Sequence, residues 1–122
     1  MGKKEKKICI RCSVHTHAAG EKTEEGEPAY MNIYALNEYN TNLTNWRSNL
    51  DQSLITCLNR EITNNSFKVT RWLVQAILAD VEFLKFAFVS RKDQGLNSKH
   101  VVLATHTVKT KSWAKQLNLK MD

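Results

Sequence analysis

Residues 64–91 read NNSFKVTRWLVQAILADVEFLKFAFVSR, and two periodicities meet in them. Val69, Trp72, Leu73, Ala76 and Ile77 recur at helical spacing and make one apolar face. Ser66, just after Asn64 and Asn65, is placed to cap that helix, which is predicted over Ser66–Asp80. From Glu82 to Val89 the chain turns almost wholly apolar and aromatic, with Phe83, Leu84, Phe86 and Phe88. That run predicts a strand buried on both faces. A prominent amphipathic helix leading into an apolar strand points to an α+β fold, with mixed β-sheets packed against the helix.

Downstream, Ser90–Lys99 is a polar turn with Asp93, Gly95 and Asn97, and His100–Val108 is a β-branched strand. Ser112–Leu117 is expected as a short helix. Upstream, Ile8–Val14 alternates enough for a short strand. His15–Pro28, with Gly20, Gly26, Pro28 and four glutamates, reads as a solvated loop. Ala29–Ile33 is a second candidate strand, and residues 37–45 are rich in Asn and Thr, which favour turns and caps. Trp46–Ile62 carries both signals. Trp46, Leu50, Leu54, Leu58 and Ile62 recur every four residues and argue helix, while Ile55, Thr56, Cys57 and Ile62 also suit a strand.

The chain has 122 residues, 42% apolar and 25% charged, which is a globular composition of about one domain. It contains no apolar run near the ~18–20 residues of a membrane helix and no secretory signal pattern. Three cysteines (Cys9, Cys12, Cys57) make no disulfide framework and fit a reducing compartment. The expected location is the cytoplasm. Net charge is +6 and unevenly spread. Residues 1–7 form a basic leader, expected to be disordered, and residues 64–122 carry ten Lys or Arg against four Asp or Glu. A basic second half points to a polyanion, of which nucleic acid is the commonest.

Cys9-Ile10-Arg11-Cys12 with His15 and His17 has the donors of a zinc site. In a strand pattern Cys9 and Cys12 would face opposite ways, so they read as buried structural cysteines beside loop histidines. Glu61 and Glu82 are candidate acidic groups, and His100 and His106, an even number apart, fall on one strand face. Neither histidine has a nucleophile beside it. No metal, cofactor or catalytic residue is expected. Lys68, Arg71 and Gln75 share a helix face, and with Lys85, Arg91, Lys92 and Lys99 they could follow a phosphate backbone. Trp46, Trp72 and Trp113 are candidate stacking rings, although Trp72 lies on its helix's apolar side.

Specific strings go further. Asn64-Asn65-Ser66-Phe67-Lys68, Arg71-Trp72, Ala76-Ile77-Leu78-Ala79, Glu82-Phe83-Leu84-Lys85, Val89-Ser90-Arg91, Ser98-Lys99-His100-Val101 and Gln116-Leu117-Asn118-Leu119 occur in order. Asn32-Ile33, Leu36-Asn37-Glu38, Trp46-Arg47 and Leu50-Asp51 precede them. With these strings the chain resembles the d subunit of eukaryotic translation initiation factor three, over residues 8–121 and most strongly from 61 onward. Family members are several times longer. The resemblance therefore implies that residues 8–122 are part of a single cap-binding-type α+β domain, incomplete at both ends.

That domain is similar in fold to DXO-type decapping and pyrophosphohydrolase enzymes, which hold metal through Glu-x-Asp on one strand and Glu-x-Lys on the next, followed by a helix Gln. Carried over, Ser13-Val14-His15 and Glu61-Ile62-Thr63 occupy the two motif places, and Gln75 matches the helix Gln. The same carry-over tips Thr56–Thr63 toward a strand, against the periodicity, which alone favours helix. Ser13 and His15 replace two hard oxygen ligands and Thr63 replaces the Lys, so no hydrolase activity is expected. The resemblance implies a translation initiation factor subunit that binds mRNA, including its 5′ cap, the small ribosomal subunit and the other subunits of factor three, notably the e subunit. Two alternatives remain: a metal-dependent hydrolase of RNA 5′ ends, and a ribosome-docking module without cap affinity.

Overall fold

Leu84, Phe86, Phe88 and Ser90 are buried, and the residues between them are half-buried. This period-two pattern makes residues 83–91 a strand with one face closed over a core and the other partly covered. The expectation of burial on both faces gives way to that asymmetry. The computed structural model describes residues 4–93 and 95–117. In order these form β1 (Thr16–Lys22), β2 (Pro28–Asn37), α1 (Thr41–Thr44), α2 (Trp46–Asn64), α3 (Ser66–Leu78), β3 (Phe83–Arg91), β4 (His100–Lys109) and α4 (Thr110–Gln116). The architecture is α+β, with a mixed four-stranded sheet in the order β1-β2-β3-β4.

The outer pairs β1–β2 and β3–β4 are antiparallel, and the central pair β2–β3 is parallel. A parallel pair needs a crossover, which α1, α2 and α3 provide. Register sets Asn32 beside Leu84, Tyr34 beside Phe86 and Leu36 beside Phe88. Leu36, Leu84, Phe86 and Phe88 meet Trp46, Leu50 and Leu58 of α2, Val69, Trp72, Leu73 and Ala76 of α3, and Trp113 of α4. Each fully buried large apolar side chain of this kind contributes about 1.5–3 kcal/mol.

Several expectations change. Ile8–Val14 forms no strand; these residues are exposed and without regular secondary structure. The first strand lies in the expected loop. Residues 16–22 are small and polar, and they hold as an edge strand because β2 offers an antiparallel partner. A tight turn closes this hairpin, with Thr23 N–H donating to Glu27 O at 2.8 Å and Gly26 at φ +83°. Residues 56–63 are helical, so the strand carried over from the enzyme likeness is corrected. The helical spacing of Trp46–Ile62 holds, with a kink where Ser53 leaves helical geometry (φ −159°, ψ 92°). Its hydroxyl accepts the Thr56 N–H at 3.3 Å, as a cap restarting the helix would.

α3 begins at Ser66 with Asn65, not Ser66, at the cap position, and it ends at Leu78, short of Asp80. Asp80 takes φ +54°, Asp80 N–H donates to Ile77 O and Val81 N–H donates to Ala76 O. This is the left-handed termination usually given to Gly. α4 starts two residues earlier than expected, at Thr110. A bulge between Phe88 and Val89 shifts the β3–β4 register, so His106 lies opposite Phe86 and His100 opposite Arg91. The two histidines therefore occupy opposite faces, which the even spacing did not anticipate.

Candidate nucleic-acid interface

Two clefts collect the polar and aromatic groups that the core leaves over. The first lies where α3 crosses β2. Its volume is about 370 Å³, and Arg11, Ser13, His15, Asn32, Tyr34 and Gln75 are among its walls. β2 fixes Tyr34 and α3 fixes Gln75, and the Tyr34 hydroxyl donates to Gln75 Oε1 at 3.2 Å. The Tyr34 ring lies 4.5 Å from that of Trp72 and is tilted only 12° from it. The His15 ring meets Tyr34 edge-on at 5.3 Å. Ile33 N–H donates to His15 Nδ1 at 2.9 Å, and His15 N–H donates to Asn32 Oδ1 at 3.1 Å. Lys68 Nζ sits 4.8 Å above the Trp72 ring, where its charge meets the negative π face. Burial pushes the Tyr34 hydroxyl above its ordinary range, against smaller opposing effects from Asn32 and Arg71.

Of the positions carried over from the enzyme motif, the structure brings Ser13, His15 and Gln75 together and leaves Glu61 and Thr63 elsewhere, on α2. Glu61 is buried and accepts from Asn65 Nδ2 at 3.0 Å. Burial raises its carboxyl, and the Asn65 hydrogen bond and the Lys68 and Arg60 charges only partly offset this. Cys9 and Cys12 are exposed, not buried as expected, and Cys57 is buried. Among the described residues no group of three His, Cys, Asp or Glu is placed to hold a metal ion.

The second cleft is a basic corner beyond the ends of β2 and β3. Its volume is about 310 Å³, and Glu38, Thr41, Asn42, Asn45, Arg47, Arg91 and Lys92 line it. Glu38 anchors it from below. Its Oε1 accepts from Ser90 Oγ at 2.7 Å, and its Oε2 accepts from Thr44 Oγ1 at 2.6 Å and Trp46 N–H at 2.8 Å. Burial favours the protonated acid, but these donors and the Arg47 charge outweigh it, so the Glu38 carboxyl falls below its ordinary range. Arg47 Nη2 donates to Arg91 O at 2.8 Å, which ties α2 to the end of β3.

The cations read from sequence thus fall into three places. Arg91 and Lys92 line the corner, and Lys92 N–H donates to Lys99 O at 3.0 Å across the hairpin. Lys68 and Arg71 are exposed on α3. Lys85 stands apart, half-buried on the other sheet face, opposite Ile33 and Thr107. Of the tryptophans, Trp46, Trp72 and Trp113 are all core residues. Arg47, Tyr34 and Glu38 carry much of the local architecture and Tyr39 stands exposed beside them; none of the four was singled out from sequence. The strings Trp46-Arg47 and Leu36-Asn37-Glu38 held two of them in view.

A protein-family model described as eukaryotic translation initiation factor 3 subunit 7 matches residues 1–122. Similar curated proteins include the D-1 subunit of eukaryotic translation initiation factor 3 from Drosophila persimilis, 42% identical over 118 residues. That alignment takes in 94% of this chain and 21% of the relative. The D subunit of the same factor from Bombyx mori is 41% identical over 118 residues, again with 94% and 21% covered. The D-1 subunit from Drosophila melanogaster is 42% identical, with 94% and 20% covered. The chain spans about a fifth of the length of these relatives. No helix among the described residues is long and apolar enough to cross a membrane.

Proposed function

The chain belongs to the family of eukaryotic translation initiation factor 3 subunit 7, and on that footing we propose that it works as part of such a subunit in the cytoplasm. It would assemble with the other subunits of factor three, notably the e subunit, and meet the small ribosomal subunit and mRNA. The observation that carries this reading is 42% identity sustained over 94% of the chain to a curated relative of that factor. The cations on α3 (Lys68, Arg71), at the corner (Arg91, Lys92) and across the adjoining hairpin (Lys99) support a role against an RNA backbone. Lys85, on the other sheet face, belongs to that role only if RNA or a partner reaches both faces. Gln75 is engaged with Tyr34 and lines the first cleft instead.

Recognition of the mRNA 5′ cap would need groups outside this chain. A base held between two rings needs them about 7 Å apart, twice the ~3.5 Å contact distance. Tyr34 and Trp72 are 4.5 Å apart and closed on each other. This favours, for the present chain, a docking role without cap affinity of its own. Hydrolysis of RNA ends is not expected, because Ser13, His15 and Gln75 bring no carboxylate into their cleft and Glu61 lies outside it.

Co-sedimentation with purified small ribosomal subunits over a salt series tests the proposal. Lys68→Glu, Arg71→Glu and Lys99→Glu together should weaken association and flatten its salt dependence. Unchanged association across salt would sink it. Competition by a cap analogue would restore the cap-reading role to this chain, and magnesium- or manganese-dependent product release from capped RNA would restore the enzyme.

A further inference from the structure

The corner cleft has properties that α3 lacks. It lies beyond the carboxyl ends of the parallel strands β2 and β3, the place where open sheets with parallel strands characteristically bind ligands. Its three cations, Arg47, Arg91 and Lys92, share the lining with a single carboxylate, Glu38. Both oxygens of that carboxylate are committed to Ser90, Thr44 and the Trp46 N–H. The cleft therefore carries three cations against one anion, Glu38, whose charge faces Arg47, and the net positive charge of its lining is left for a ligand. Asn42 and Asn45 add side-chain amides, which can donate and accept.

Beside it stands Tyr39, 93% exposed. It lines an adjoining hollow with Glu38 and Arg91. Its backbone is pinned on both sides: Glu38 N–H donates to Val89 O at 2.8 Å, and Thr44 N–H donates to Asn40 O at 3.1 Å. A ring presented from fixed backbone, next to cations, loses little freedom when it takes a partner.

We infer that this corner binds single-stranded RNA, with a phosphate between Arg47, Arg91 and Lys92 and the adjoining base stacked on Tyr39. The inference rests on the RNA-binding reading above and adds the strand state and the two contact groups. A base face on an aromatic ring and a phosphate in a basic cleft are the paired features of single-strand recognition. A duplex would hide its base faces and gain nothing from Tyr39.

Fluorescence anisotropy of the 122-residue chain with a short, labelled, uncapped oligouridylate tests it. Tyr39→Ala should weaken binding about tenfold, and Tyr39→Phe should retain it. Arg91→Gln with Lys92→Gln should also weaken it and lower the salt slope by about one and a half. A duplex of equal length should be insensitive to Tyr39→Ala. If Tyr39→Ala changes nothing while Lys68→Glu with Arg71→Glu abolishes binding, RNA runs along α3; the corner site then fails and the broader reading survives. If Tyr39→Ala spares RNA but releases a neighbouring protein of factor three, the corner is a protein-docking face and the inference is overturned. If the unsubstituted chain binds no RNA at low salt, both readings fall together.

Discussion

In the cleft over α3, Tyr34 gives its hydroxyl to Gln75 and its ring face to Trp72, and His15 spends Nδ1 on the Ile33 backbone. In the corner beyond β2 and β3, the buried Glu38 takes up its neighbours' donors, while Lys92 and the Tyr39 ring stay open to solvent. Both clefts border β2, and both hold the residue types associated with RNA. They differ in what is left unspent. Groups that satisfy one another hold the fold together, whereas groups held in place by others and left facing outward are free to act on a partner.

The largest test of this contrast is Trp72→Ala. If the first cleft is structural, the substitution should cost about 3–5 kcal/mol in urea denaturation at neutral pH. A loss below about 1 kcal/mol would show that the Tyr34–Trp72 stack does not support the core.

Glu38→Gln should cost about 2–3 kcal/mol, because an amide nitrogen would face donors that now meet a carboxylate. The pH dependence has a definite sign. The Glu38 carboxyl lies below its ordinary range in the fold. Its stabilisation is therefore complete above the unfolded value of about 4.3 and is lost as pH falls through the lower folded value. The gap between wild type and Glu38→Gln should narrow in acid over that window. A gap independent of pH would mean that the charge is not the stabilising feature.

Tyr34→Phe removes one exposed hydrogen bond and should cost about 0.5–1.5 kcal/mol, with the ring stack retained. Glu61→Gln should have the smallest effect, within about 1 kcal/mol and toward greater stability at neutral pH. The Glu61 carboxyl is raised by burial, so its ionised form costs stability above the folded value, and lowering the pH relieves that cost. The amide oxygen of Gln can still accept from Asn65. Thermal melts of the two glutamate variants across pH should therefore move in opposite directions.

Legibility followed the range of the interactions. α3, β3, β4 and α4 declare themselves locally, through the face of Val69, Trp72, Leu73 and Ala76 and the run of Phe83, Phe86 and Phe88. β1 could not be read, since Ala18, Ala19 and Gly20 have no strand preference and depend on β2 for pairing. α2 carried two signals because Ile55, Thr56, Cys57 and Ile62, which also suit a strand, sit inside its four-residue spacing, and the kink at Ser53 leaves that spacing unchanged. In the site, the cations of α3 and of the β3–β4 hairpin were visible as charge. Their division among the corner cleft, the exposed surface of α3 and an isolated position on the other sheet face was not. The corner joins Glu38 to Ser90 and Arg47 to Arg91, contacts that no window of local sequence spans. The bulge in β3–β4 similarly defeats any count of even spacing between His100 and His106.

The parallel seam between β2 and β3 also sets a schedule. Its partners lie as far apart as Glu38 and Ser90, 52 residues along the chain. At roughly 5–20 residues per second, β2 leaves the synthesising ribosome several seconds before the strand that completes it. Through that interval β2 has only the short hairpin with β1 on one side and an open edge on the other. The intervening helices are made first, and contacts within them close quickly. The newborn chain therefore holds its α1–α3 crossover and half a sheet until β3 arrives to pair with β2 and bring Ser90 to Glu38, and Trp113 of α4 joins the core last.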